Sequence, residues 1–341
     1  MLAMRASFAI ALSATLLAAC ASTPEARAPI RVVATTPAPV KVGIALGGGA
    51  AKGFAHIGVI KMLEANGIKP VVVSGTSAGS VVGALYASGM DAYAMQEKAF
   101  ALDESKIRDV SLFSGGVVKG QKLQDYVNEL VGGRTLEKMN KPFAAVATRL
   151  ENGERTVFVR GNTGQAVRAS SSIPGVFEAV AIGKAHYVDG GVVSPVPVDA
   201  ARELGADFVI AVDISSKANG IASPTSMLGN VNQSITIMGQ KLGALELARA
   251  DIVIRPKVSD IGATAFDQKN RAILEGERAA QAALPQLRAR LAELAAARAA
   301  QARKVADAET ARQREAERKA RCAQQQGWLD KLRRDPDCRD G

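Results

Sequence analysis

Histidine and cysteine are almost missing from this sequence, with two and three in 341 residues. A structural zinc site draws on four thiolate, imidazole or carboxylate ligands, and so few Cys and His leave little to build one from. A Ser-His-Asp triad has only His56 and His186 to draw on. Long apolar runs are also lacking. After residue 20 none approaches the roughly 20 residues that span a bilayer, which excludes a bundle of membrane-crossing helices. The remainder is 48% hydrophobic and 22% charged, a globular composition. The length allows one large domain with extensions, or two domains.

Residues 1–20 read as an export signal. Arg5 supplies a positive charge, and Phe8 to Ala19 is apolar apart from Ser13 and Thr15. The run is too short to span and ends in small residues. It stops at Leu17-Ala18-Ala19-Cys20, which resembles the bacterial lipoprotein signal, whose Cys becomes the lipidated first residue. An ordinary cleaved signal with an incidental Cys is the alternative. Several acyl chains on Cys20, at about 0.8 kcal/mol per buried CH₂, would anchor the chain to a membrane. Ala21 follows where inner-membrane retention commonly uses Asp, so the resemblance implies an outer-membrane anchor facing the periplasm. Residues 21–40 hold Pro24, Pro29, Pro37 and Pro39 among Ala and Thr, a tether without apolar periodicity.

From 41 to 280 the pattern alternates. Val42–Leu46, Val71–Val73, Phe143–Thr148, Thr156–Val159, Phe208–Val212 and Ile252–Ile254 read as strands. Phe54–Ala65, Ser80–Ser88 and stretches near 121–131, 197–204 and 232–249 read as helices. Such alternation predicts an α/β domain with a mostly parallel sheet buried on both faces.

Two turns in this pattern carry chemistry. Leu46-Gly47-Gly48-Gly49-Ala50-Ala51-Lys52-Gly53 lies between a strand and a helix. Its backbone N–H groups could face a phosphate or an oxyanion. The spacing fits neither the nucleotide P-loop nor the dinucleotide fingerprint. Gly75-Thr76-Ser77-Ala78-Gly79 follows a valine strand and precedes a helix, the required context of the Gly-x-Ser-x-Gly elbow. Ser77 is therefore the candidate nucleophile, against a plain serine helix cap. An α/β-hydrolase order would need an acid such as Asp103 or Asp125 followed by His186, but no histidine has a strand-end context. His56, in the first turns of a helix, reads as a packing or hydrogen-bonding residue.

The third segment is His186-Tyr187-Val188-Asp189-Gly190-Gly191, where two glycines are expected to leave the Asp189 carboxylate approachable. With it, residues 41–256 resemble the patatin-like phospholipases. The glycine loop with a basic residue before its last Gly, the elbow and the Asp-Gly-Gly occur in the family's order. Ala169-Ser170-Ser171-Ser172-Ile173-Pro174-Gly175-Val176-Phe177 is similar to the Ser-rich loop of bacterial members. One departure is Ala50, where plant patatins carry a third Gly. The resemblance implies a three-layer α/β/α fold and a Ser-Asp dyad without histidine. It makes Ser77 the nucleophile, Asp189 the proton acceptor, and Gly48, Gly49 and Ala50 the oxyanion donors. No cofactor or metal is implied. An aspartate near its free pKa of about 3.9 is a weak base, so the site must desolvate it or stabilise the oxyanion strongly. Lys52 would brace the loop or meet a lipid phosphate, and residues 105–122 form either a flap or an ordinary surface loop. The implied activity is a phospholipase A or lysophospholipase-type hydrolase acting on lipid acyl esters through an acyl-enzyme. The alternatives are a transacylase or thioesterase with the same dyad, and a non-catalytic envelope lipoprotein.

Residues 281–341 turn to Ala, Arg, Glu and Gln, a charged helical extension. Leu284, Leu287, Leu291 and Leu294 form a heptad-like seam that then stops. Residues 286–341 hold 14 Lys and Arg against 9 Asp and Glu, half of the chain's net +10. Such a helix is a soluble, charge-mixed element or a contact for anionic lipid or cell-wall polymer. Nucleic acid is not an expected partner in an exported protein, and the sequence does not fix the oligomeric state. Cys322 and Cys338, left over in an oxidising compartment, are expected to close a disulfide loop.

Overall fold

The computed structural model describes residues 37–103, 105, 107, 109, 118–217, 227–324 and 338. The export signal, Cys20, most of the tether and most of the expected flap lie outside these residues. The chain divides after Ala299, and the fold below is that of Pro37–Ala299.

Among the described residues, eight strands form one sheet. They are β1 (Val42–Leu46), β2 (Val72–Thr76), β3 (Phe143–Arg149), β4 (Arg155–Phe158), β5 (Val180–Ile182), β6 (Ala185–Asp189), β7 (Phe208–Val212) and β8 (Ile252–Ile254). The order is β5-β6-β3-β2-β1-β7-β8, with β4 also paired to β3. Strands β3, β2, β1, β7 and β8 run parallel, and β4, β5 and β6 join antiparallel. The predicted α/β class with a mostly parallel sheet is therefore what the chain adopts. Strand β2 runs later than the valines suggest, through Ser74, Gly75 and Thr76. The ladder with β1 and β3 holds these small residues in strand conformation.

Alternation along the strands divides the core. Ile44, Leu46, Val73, Phe208, Ile210 and Val212 face one layer of helices. That layer contains α1 (Phe54–Ala65), α2 (Ala78–Ala87), α3 (Ala92–Phe100), α4 (Gln121–Leu130), α5 (Thr163–Ser170) and the start of α8 (Lys269–Gln324). Ala45, Val72, Val209 and Ala211 face the other side, where α6 (Val198–Glu203) and the end of α7 (Met227–Leu247) pack. Both faces are covered, as a parallel sheet requires.

The expected domain boundary at 280/281 falls inside α8. Its first turns belong to the core: Ala272, Ile273, Ala280, Leu284 and Leu287 are buried, and Leu291 and Leu294 pack beside them. The leucine seam is thus covered by the chain's own α1 layer. A glycine crossing allows this approach. A Cβ on Gly58 would lie 1.9 Å from the Ile273 carbonyl, and one on Gly276 2.0 Å from that of Ala55. Beyond Ala299, the last part of α8 has no buried residue, and Cys322 is joined to Cys338 by a disulfide with Cα atoms 5.6 Å apart. Among the described residues no helix is long and apolar enough to cross a membrane.

Candidate active site

The register of three strands brings Ser77 and Asp189 together. On one edge of β3, β4 pairs continuously along Ala145–Thr148. The opposite edge takes β2 as far as Thr76↔Val146 and then β6 from Asp189↔Ala147. Strands β2 and β6 thus meet end to end on the same edge. The residue after Thr76 is Ser77, and the residue at the junction on β6 is Asp189. Two segments more than a hundred residues apart therefore converge through backbone ladders.

Ser77 leaves the sheet in a strained turn, with φ 54° and ψ −125°. Such a conformation costs a non-glycine residue about 1–3 kcal/mol. The surrounding glycines make the turn feasible. A Cβ on Gly79 would sit 2.1 Å from the Leu46 carbonyl, and one on Gly75 2.3 Å from that of Gly79. Hydrogen bonds on both sides of the peptide hold the turn. The Ser77 carbonyl accepts from the N–H and hydroxyl of Ser80 at 2.8 and 2.7 Å. The Ser77 N–H donates to the Ser170 hydroxyl at 3.0 Å, which donates on to the Val146 carbonyl at 2.6 Å. Ser77 is therefore not capping α2 with its side chain.

Asp189 is held as firmly. Its N–H donates to the Ser172 carbonyl at 2.8 Å, its carbonyl accepts from Thr148 at 2.9 Å, and Oδ1 accepts from the Gly191 N–H at 2.7 Å. Oδ2 is buried without a fully formed hydrogen bond, and the Ser77 hydroxyl lies within interaction range of the carboxylate. Burial raises the Asp189 pKa from the usual carboxylate range to about 6, although Ser77 and Gly191 pull the other way. The glycines do not expose the carboxylate as the sequence suggested. Asp189 is only 7% exposed, because Gly190 packs against the Val146 carbonyl, where a Cβ would come within 2.1 Å.

The glycine loop lies beside this pair, and a Cβ on Gly48 would be 3.3 Å from that of Ser77. One of the three expected oxyanion donors is already engaged. The Gly48 N–H donates to the Pro195 carbonyl at 3.0 Å, so it serves the loop's anchorage instead. Among the described residues the N–H groups of Gly49 and Ala50 find no backbone acceptor. Ala50 has φ 50°. Lys52 braces the loop: it is buried, and its Nζ donates to the Ser216 hydroxyl at 2.6 Å. Burial holds its pKa below the ordinary lysine value, against the attraction of Asp213.

Neither histidine joins the pair. His56 is buried, and its Nε2–H donates to the Gly47 carbonyl at 2.8 Å. Burial lowers its pKa to about 4, so the ring is neutral at pH 7. His186 lies in the exposed part of β6 and bonds Glu151 at 3.0 Å. Of the alternative acids, Asp125 accepts from the Gln121 side chain on α4 and Asp103 from the Ser105 N–H.

Two supports escaped the sequence reading. One is Ser170, whose hydroxyl links the Ser77 turn to β3; the Ser-rich run marks its place in the sequence but specifies no partner. The other is Glu246 on α7, which is 5% exposed. It accepts from the Ser194 hydroxyl at 2.5 Å and from the Val196 N–H at 2.8 Å. The segment it grips also takes the Thr76 hydroxyl on the Ser194 carbonyl, the Gly48 N–H on Pro195 and the Ser74 hydroxyl on Pro197. Burial raises the Glu246 pKa to about 7 against these two bonds. A single Glu in a helix whose one other charge is Lys241 is the signal the sequence offers. Among the described residues, no group of three or more His, Cys, Asp or Glu side chains is placed to hold a metal ion.

Residues 44–202 match the model of the patatin-like phospholipase family. An uncharacterized NTE family protein of Mycobacterium tuberculosis is 36% identical over 184 residues, which are 53% of this chain and 51% of that protein. A second from the same organism is 30% identical over 269 residues, or 71% of this chain and 46% of the relative. A lysophospholipase of Aspergillus niger is 34% identical over 181 residues, 51% of this chain and 12% of that protein. The chain thus spans about half the length of the mycobacterial relatives. The crystal structure of VipD from Legionella pneumophila shares the fold, with a TM-score of 0.52 at 16% identity over 73% of this chain and 68% of that one.

Proposed function

We propose that the protein is a serine acyl hydrolase of lipid esters working through a Ser77–Asp189 dyad, a reading that the match of residues 44–202 to the patatin-like phospholipase model supports. The observation that carries this is the end-to-end meeting of β2 and β6 on β3, which sets a strained serine beside a desolvated carboxylate.

Each group has a step. Ionised Asp189 takes the Ser77 proton as Oγ attacks the ester carbonyl. A base poised near pKa 6 suits transfer at neutral pH better than one near 4. The N–H groups of Gly49 and Ala50 receive the developing oxyanion, and a donor of this kind contributes roughly 3 kcal/mol. Protonated Asp189 returns its proton to the leaving alcohol or lysolipid. Water, deprotonated by the same carboxylate, then releases the fatty acid and restores Ser77. Phospholipids and lysophospholipids are the substrates that the family and the Aspergillus relative's name favour.

Cys20 would tether the enzyme to its substrate surface as a lipid anchor, on the periplasmic side of the outer membrane. Metabolic labelling with a palmitate analogue tests that part, and a Cys20→Ser chain should take up none.

The chemistry is tested by turnover of a soluble short-chain ester. The wild type should hydrolyse it with release of one acid per ester, and Ser77→Ala should lose at least a thousandfold. Unchanged turnover in Ser77→Ala would remove the nucleophile. Acyl transfer to an added lysolipid in preference to water would identify a transacylase instead.

A further inference from the structure

We propose that the outer face of α7 is a docking surface for an anionic lipid bilayer, placed beside the dyad so that the bilayer's esters meet Ser77. The proposal rests on the lipid-hydrolase reading of that site and adds where the membrane sits.

The inner face of α7 is fixed to the Asp189 segment. Glu246 grips Ser194 and Val196. Gly239 lies against the Gly191 carbonyl, 3.9 Å from where its Cβ would be, and Gly243 against the Pro195 ring at 3.8 Å. Gly239 and Gly243 are one turn apart and define the side that faces the site.

The opposite side is apolar and exposed. Ile237, Met238 and Leu245 are 45%, 59% and 63% exposed, and Met238, Lys241 and Leu245 follow at helical spacing along one stripe. A surface helix ordinarily turns charges to water. Over its 21 residues α7 has only Lys241 and Glu246, and Glu246 points inward. From Ile237 to Leu245 the exposed side chains are therefore apolar with one cation, Lys241, among them, whose stem can lie along an apolar surface with its ammonium among headgroups.

The border of the stripe supplies the charge. Lys217 and Arg255 line a cavity of about 410 Å³ together with Gln240, Ala244 and Leu247 of α7. Buried Asp213 pairs with both cations, at 2.9 and 3.5 Å. Its pKa stays below the usual range because Ser215 and Lys217 outweigh its burial. Stripe and border together carry three cations, Lys241, Lys217 and Arg255, against the carboxylate of Asp213. An apolar band with a cationic border has the chemistry of an interfacial helix on anionic lipid.

The test uses the full chain with Cys20→Ser, so that no acyl chain contributes to binding. Ile237→Gln, Met238→Gln and Leu245→Gln are combined, and all three sites are exposed enough to leave the fold intact. Sedimentation with phosphatidylglycerol–phosphatidylcholine vesicles should fall at least tenfold, with a matching fall in hydrolysis of vesicle lipid. Turnover of the soluble short-chain ester should stay within twofold. Equal vesicle binding and hydrolysis by the triple variant would overturn the proposal. So would a wild-type dimer that the variant converts to a monomer, which would assign the stripe to a second copy. If the soluble ester is not turned over by wild type while vesicle binding still depends on the stripe, the hydrolase reading fails and the docking surface stands.

Discussion

The carboxyl end of the sheet and the last part of α8 are both rich in polar side chains, and the two handle them in opposite ways. Around Ser77 the polar groups are buried and held by specific bonds: Ser74, Thr76, Ser170, Ser194, Asp189 and Glu246 are all under 10% exposed. Beyond Ala299, α8 has no buried residue, and its ion pairs, such as Arg318 with Glu315, span three residues on one helix face. Buried polar groups cost stability unless paired, so their accumulation marks a place where chemistry is retained against stability. Exposed charges cost little and contribute little. Charge density, the more visible feature of the sequence, is thus the poorer guide to the site.

The largest effect expected from breaking this contrast is at Asp189. Asp189→Asn should lower ester turnover at least a thousandfold while raising stability. The sign follows from the folded pKa of about 6, above the unfolded value of 3.8. Between these values the native state binds more protons than the unfolded state, so stability falls as pH rises through that window. Removing the charge should return up to about 3 kcal/mol at pH 8 and almost nothing at pH 3.5. Urea titrations at the two pH values measure the difference, and a destabilised variant at pH 8 would contradict it. For the wild type, kcat/KM should rise through about pH 6 as Asp189 ionises.

Glu246 comes next. Glu246→Ala leaves the Ser194 hydroxyl and the Val196 N–H without their acceptor, a loss of about 2–3 kcal/mol. Because Pro195 anchors Gly48, kcat should drop roughly tenfold by displacement of the glycine loop. Glu246→Gln, which keeps an acceptor for Val196, should recover part of both losses. Equal kcat in wild type and Glu246→Ala would show that the segment holds its place without α7.

Much of this contrast was legible in the sequence, but unevenly. The strands Val42–Leu46, Phe208–Val212 and Ile252–Ile254 follow from apolar runs alone, because parallel strands are buried on both faces. The elbow at Ser77 and the strand end at Asp189 follow from glycine placement. The engagement of Gly48 did not, since it depends on a carbonyl almost 150 residues away. Nor did the part Ser170 plays, or that of Glu246. A run of small polar residues specifies no partner until the ladder brings β2 and β6 together. The composition shift at 280/281 does not coincide with the end of packing, since composition reports charge and not contact, and Leu284 and Leu287 still fill the core.

Smaller effects sharpen the contrast from the other side. His186→Ala should leave soluble-ester turnover within twofold and stability within about 0.5 kcal/mol, since its bond to Glu151 is exposed. A large loss of turnover with the fold intact would return histidine to the mechanism. Smallest of all, Arg312→Gln with Arg314→Gln in the exposed last part of α8 should change neither turnover nor melting temperature measurably. A fall in soluble-ester turnover would give that helix a part in the chemistry.

The most direct test of the dyad is labelling with a fluorophosphonate followed by mapping of the adduct. A single adduct on Ser77 is expected in wild type and in His186→Ala, with none in Ser77→Ala and a rate at least a hundredfold lower in Asp189→Asn. Labelling of Ser77→Ala at the wild-type rate, or an adduct on another residue, would contradict the account.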